Sequence, residues 1–132
     1  MYKIIFRFIV AAFLLLPQFA SAQTGELKVM SYNIRLGSAN DGTNSWMYRC
    51  GATLEMLADQ KPDVFGVQEA LPDQLQFIEE FSNGYGFVGV GREDGKKKGE
   101  SMAIFWNKKS VKLLKWGTFW LSETPKKPSL GW

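Results

Sequence analysis

Two short apolar runs that break off into polar residues set the pattern of the amino-terminal part of the chain. The first, Leu27-Lys28-Val29-Met30-Ser31-Tyr32-Asn33-Ile34-Arg35, reads as a strand that delivers Asn33 to the edge of a sheet. The second is Pro62-Asp63-Val64-Phe65-Gly66-Val67-Gln68-Glu69. Its Val64, Phe65 and Val67 read as a strand buried on both faces, and Pro62 marks the stop of a preceding helix that it cannot continue. Glu69 then leaves the core at the strand's carboxyl end, where ligands of open α/β sheets bind. Taken alone, a cap for a helix starting near Pro72 is the leading reading of Glu69, ahead of a metal ligand.

Between the runs lies Leu36 to Asn44, rich in Gly, Asn, Ser and Asp, which is loop composition. Asn44 or Ser45 offers an N-cap for a helix to about Gln60, whose Trp46, Cys50, Leu54 and Leu57 form one apolar stripe. Strand, helix and strand in that order predict parallel neighbours. Arg49 lies off the stripe: it is either a solvated first-turn residue, the leading reading, or an arginine facing the Asn33 end of the sheet. A second helix spans about Pro72 to Phe81, with Pro72 in the first turn and Leu71, Leu75, Ile78 and Phe81 on one face. Ser82-Asn83-Gly84 ends it. From Tyr85 the period changes to two. Tyr85–Gly91 and Ser101–Asn107 read as strands joined by Arg92–Glu100, and Val111–Leu121 as a third, in an antiparallel meander. Lys96-Lys97-Lys98 between the first two is a solvated hairpin tip, the reading preferred to a contact with substrate phosphate.

Composition changes this picture at two places. Lys3 and Arg7, the apolar run Phe8–Leu16 and the small residues Ala20-Ser21-Ala22 spell a secretory signal peptide over residues 1–22, cleaved before Gln23. Its apolar run is too short for a membrane span, and no later stretch is long enough for one. The expected location is secreted or periplasmic. With the leader go two of the 16 basic residues and none of the 13 acidic ones, so the formal charge falls from +3 to +1. The basic character of the whole chain is thus mostly a targeting feature and poor support for nucleic-acid binding. Cysteine is the other place. Cys50 stands alone, on the helix stripe, and the chain has no histidine to activate it; it reads as a small core residue.

The two strand motifs together resemble the first two signature motifs of the endonuclease/exonuclease/phosphatase superfamily. Gly99-Glu100-Ser101-Met102-Ala103-Ile104-Phe105-Trp106 resembles that family's strand after its second helix, so the likeness runs from Leu27 to Trp132. The resemblance implies an α/β fold: residues 23–132 would form the amino-terminal half of a four-layer sandwich, a mixed sheet with helices on one face. It implies a phosphoesterase (nuclease or phosphatase) using Mg²⁺ or Mn²⁺, with Glu69 matching the family's metal-ligating Glu and Asn33 its Asn. A phosphate ester, whether nucleotide, sugar phosphate or lipid head group, is the implied partner. The family's later Gly-Asp-Phe-Asn and Ser-Asp-His motifs have no counterpart here. The chain therefore reads as a fragment, inactive by itself and lacking its carboxyl-terminal half. The inner sheet face, built from residues such as Met102, Ile104 and Trp106 or their neighbours of opposite parity, is then expected to lie open. The alternative is a complete small exported binding module without catalytic activity.

Overall fold

A computed structural model of the protein describes residues 25–131; the expected leader at 1–22 and the terminal Trp132 lie outside the described residues. Strand β1 (Val29–Asn33) is followed by a 3₁₀ turn at Gly42–Asn44 and helix α1 (Trp46–Gln60). Strand β2 (Val64–Ala70) leads through helix α2 (Pro72–Phe81) to the hairpin of β3 (Tyr85–Gly91) and β4 (Ser101–Asn107). The sheet order is β1-β2-β4-β3. The β1–β2 pair is parallel, with Val29 opposite Val64 and Asn33 opposite Gln68, and the other two pairs are antiparallel. The fold is α/β, a mixed sheet with its helices on one face.

Alternation decides which face. Met30 and Tyr32, Phe65 and Val67, Ala103 and Phe105, and Phe87 point to the same side, where Leu57 of α1 and Leu75 and Ile78 of α2 pack on them. Phe65 and Phe105 lie opposite each other with rings stacked 4.8 Å apart, and both are fully buried. Tyr85 closes the cluster edge-on to Phe65, and its hydroxyl donates to the Pro62 carbonyl at 2.7 Å. At the start of β2 the Asp63 carboxylate accepts the Lys28 N–H, pinning the register of the parallel pair.

The opposite face is open. Val29, Met102 and Ile104 are 65%, 78% and 53% exposed, as expected of an inner face with nothing packed on it. This corrects the reading of β2 as buried on both faces: Phe65 and Val67 are buried, Val64 only in part. An apolar run records what a strand can bury, and among the described residues no element lies against this side. The third strand expected over Val111–Leu121 does not form either; the segment is irregular and largely exposed. A strand exists through pairing, and no described strand runs beside this segment.

Both helices begin where the sequence placed them, α1 after Ser45 and α2 at Pro72. Their buried faces differ in detail. Thr53 and Gln74 are buried, while Phe81, expected on the stripe, is mostly exposed at the end of α2. Cys50 is half-buried and its thiol reaches the Met47 carbonyl at 3.6 Å. The lysine run is exposed at the hairpin tip, where Asp94 caps the turn by accepting the Lys96 and Lys98 N–H groups.

Candidate functional site

A carboxylate on β2 at an odd position should point, like Phe65 and Val67, into the helix-covered core. Glu69 avoids this through a β-bulge. Val67 pairs with Ala103 and Ala70 with Ser101, so Gln68 and Glu69 together face Met102 alone. The extra residue shifts the parity, and Ala70, fully buried, takes the core position that Glu69 would have had. The turn is made at Glu69 itself, whose φ is 61°, a left-handed conformation that costs a side-chain-bearing residue free energy. Nothing in the covalent chain requires glutamate there; the bulge aims it.

Asn33 meets it from the end of the neighbouring parallel strand. Asn33 Nδ2 donates to Glu69 Oε1 at 2.8 Å, and the Leu36 N–H donates to Oε2 at 3.3 Å. The sheet ladder runs one step further, from the Ile34 N–H to the Gln68 carbonyl, with Ile34 fully buried. Arg35 then turns the chain back with φ 62°, its N–H donating to Asn33 Oδ1 at 2.9 Å. Both atoms of the Asn33 amide are thus engaged, one by Glu69 and one by the turn.

Three arginines frame this end of the sheet, each with an acceptor of its own. Arg35 makes a two-pronged pair with Asp41, both contacts at 3.0 Å, and Arg92 pairs with Glu100 at 3.0 Å. Arg49, read from sequence as solvated, instead spans back to the site. It donates to the carbonyls of Asn44 and Arg35 and lies over the Trp46 ring, 5.3 Å from its centre. Its place in the first turn of α1, beside the loop after β1, brings it there.

The hydrogen bond from Asn33 is the main reason the Glu69 carboxyl lies below its ordinary value of 4.5, helped by the Leu36 N–H and the charges of Arg35 and Arg92 and opposed by burial. The sign follows: a carboxyl held below its unfolded value stabilises the fold above that value, and the contribution is lost as the pH falls through the folded pKa. Replacing Asn33 with Ala should move the Glu69 titration up toward 4.5, read by carbon-13 NMR of the carboxyl. The stability gap between wild type and Asn33→Ala should narrow as the pH falls from 7 through the wild-type Glu69 titration.

Mg²⁺ takes oxygen ligands, commonly one or two carboxylates completed by water and substrate phosphate. Glu69 suits that role: it is partly exposed, and its two oxygens each accept one hydrogen bond, leaving lone pairs free. Asn33 fits less directly, because its Oδ1 must release the Arg35 N–H before it can reach a cation. Among the described residues no group of three or more His, Cys, Asp and Glu stands together as a metal cage. Sequence reasoning paired Asn33 with Glu69 but missed the bulge and Gln74. The signals were there: the buried alternation breaks between Val67 and Ala70, and Gln74 sits three residues after Leu71, the spacing of a capping glutamine.

The carboxylate stands at the carboxyl end of a central strand in a half-covered mixed sheet, the place where ligands of open α/β sheets bind. Comparison with solved structures goes further. The chain is 42% identical to an endonuclease/exonuclease/phosphatase family protein from Bacteroides thetaiotaomicron, over 80% of this chain and 38% of that one, with a TM-score of 0.76. It is 41% identical to a mannosyl-6-phosphatase from the same organism, over 81% of this chain and 41% of that one, with a TM-score of 0.77. A D. rerio TDP2 complexed with a single-stranded DNA product is 25% identical over 76% of this chain and 37% of that one, with a TM-score of 0.59. The chain belongs to the endonuclease/exonuclease/phosphatase superfamily. It spans about two fifths of the length of these solved relatives. No protein-family model and no curated protein matches it.

Proposed function

We propose that this chain supplies the first half of a divalent-metal-dependent phosphoesterase, with Glu69 the carboxylate that holds Mg²⁺ or Mn²⁺. The observation that carries this reading is the bulge, which takes Glu69 out of the core and sets it against Asn33 and the Leu36 N–H. A carboxylate in a strained turn, fixed by two donors yet open to solvent, has the marks of a functional group. In this reading Asn33 fixes the carboxylate and takes the cation itself only when its Oδ1 is freed from the Arg35 N–H. The cation, when bound, would polarise the phosphoryl group and offset charge developing on the attacking and leaving oxygens. The chain has no histidine, so a histidine that activates water or protonates the leaving group must come from outside it. The chain alone is inactive in this account, and the protein is exported by the leader at 1–22.

The substrate we propose is a sugar phosphate monoester. The relative named as a mannosyl-6-phosphatase is 41% identical, against 25% for the TDP2. After loss of the leader the near-neutral charge gives little attraction to a polynucleotide backbone. The test is hydrolysis by the full-length protein of mannose 6-phosphate and a phosphorylated lipid head group, read by phosphate release, and of a dinucleotide, read by release of its mononucleotide, each with Mg²⁺ and with chelator. Metal-dependent release from the sugar phosphate, at a kcat/KM above the other two, is expected. Equal release with chelator would overturn the metal assignment, and preference for the dinucleotide would overturn the substrate.

A further inference from the structure

Gln74 is a fully buried amide at the third position of α2, and all of its polar atoms are engaged. Its Oε1 accepts the Leu71 N–H at 3.0 Å, which caps the helix, and the Gly37 N–H at 2.9 Å. Its Nε2 donates to the Arg35 carbonyl at 3.0 Å. A helix cap needs only the first of these bonds. The other two cross to the turn after β1, on either side of Leu36, whose N–H holds Glu69 Oε2. The chain on its own side runs back through Leu71 to Glu69.

We infer that Gln74 is a positioning residue for the Glu69 site, clamping the Arg35–Gly37 turn to the start of α2 so that Asn33 and the Leu36 N–H meet the carboxylate in one fixed geometry. The turn needs a clamp, because Arg35 sits in the left-handed region at φ 62° and would relax if its carbonyl were released. The second donor to that carbonyl, Arg49 Nη2, is longer at 3.3 Å and comes from an exposed guanidinium group. Gly37 records how closely the clamp fits: a Cβ there would lie 2.7 Å from Gln74 Cδ and 2.8 Å from Oε1. Supporting residues of this kind commonly set metal affinity by orienting the ligand. The inference rests on the proposal that Glu69 holds the cation.

The experiment is Mn²⁺ binding to the full-length protein, read by electron paramagnetic resonance of the free ion, with melting of the metal-free protein as the control on folding. Gln74→Met removes the clamp from the helix side. Gly37→Ala, at a backbone angle that alanine tolerates, displaces the Gln74 amide from the turn side. Each should weaken Mn²⁺ binding about 10- to 100-fold at temperatures well below its melting midpoint. Turnover lost at low Mg²⁺ should return at high Mg²⁺ with the substrate KM little changed, which a general loss of fold would not give. A folded variant of either kind that binds Mn²⁺ within about twofold of wild type overturns the inference. Should Gln74→Met not fold, Gly37→Ala decides the matter. Glu69→Gln separates the two levels: if it binds Mn²⁺ as wild type does, the site itself is wrong and the clamp falls with it. If it loses Mn²⁺ while the Gln74 and Gly37 variants keep it, only the clamp falls.

Discussion

Glu69→Gln in the full-length protein is expected to lower phosphoesterase turnover by about 100-fold or more, since a residue that merely supports a metal ligand already costs 10- to 100-fold. The substitution keeps the volume and the Oε1 that accepts from Asn33 Nδ2. It removes the negative charge and one oxygen, the atom that now accepts the Leu36 N–H. The new amide must point its NH₂ at one of the two donors or turn it toward the cation. Either way a ligand is lost while the core, which Glu69 does not enter, keeps its packing. The unfolding midpoint should therefore move little as kcat collapses, and added Mg²⁺ should recover only part of the loss. Near-wild-type turnover at saturating Mg²⁺ would take Glu69 out of the site.

Phe105→Ala is expected to have the largest effect on folding. Phe105 is fully buried, stacks on Phe65 at 4.8 Å and on Phe87 at 5.0 Å, and joins β2 to β3 across the covered face. Truncating a buried phenylalanine costs about 3–5 kcal/mol through lost burial and the cavity left behind. That is a large share of the roughly 5–15 kcal/mol that holds a domain together, and here only one face of the sheet is packed. Urea unfolding should show a lowered midpoint, or no cooperative transition. Ile104→Ala, on the exposed face at the middle of the same strand, should cost far less, so the pair reads out which face carries the core.

Much of this arrangement was legible in the residues, for a physical reason. The stop at Pro62, the apolar run after it and the polar break at Glu69 are local signals. Helix starts at Ser45 and Pro72 are local too, and the structure places them there. The parallel pairing of the two motif strands followed from the helix between them, and it brings Asn33 within 2.8 Å of Glu69. What failed depended on partners. Val111–Leu121 has the composition of a strand but no described neighbour to pair with. The same lack leaves Val64 only half-buried and Met102 exposed. Arg49 is misjudged from sequence because it donates to carbonyls of other segments, which leave no trace in a side-chain pattern; of Gln74 the capping bond to Leu71 is legible from its spacing, but its bonds to Arg35 and Gly37 are not. The bulge lies between these cases, visible as a break in alternation but assignable only once Ala103 and Ser101 fix the register.

The account turns on where the cation sits, and anomalous diffraction at the manganese edge from crystals of the full-length protein soaked in Mn²⁺ tests that directly. A peak is predicted beside the Glu69 carboxylate, at about the 2.0–2.6 Å that oxygen-ligated divalent ions keep from their ligands. Asn33 should then either hold the carboxylate as it does now or turn its Oδ1 to the metal. A well-occupied manganese site elsewhere in the molecule, with Glu69 still bound only by Asn33 and Leu36, would contradict it.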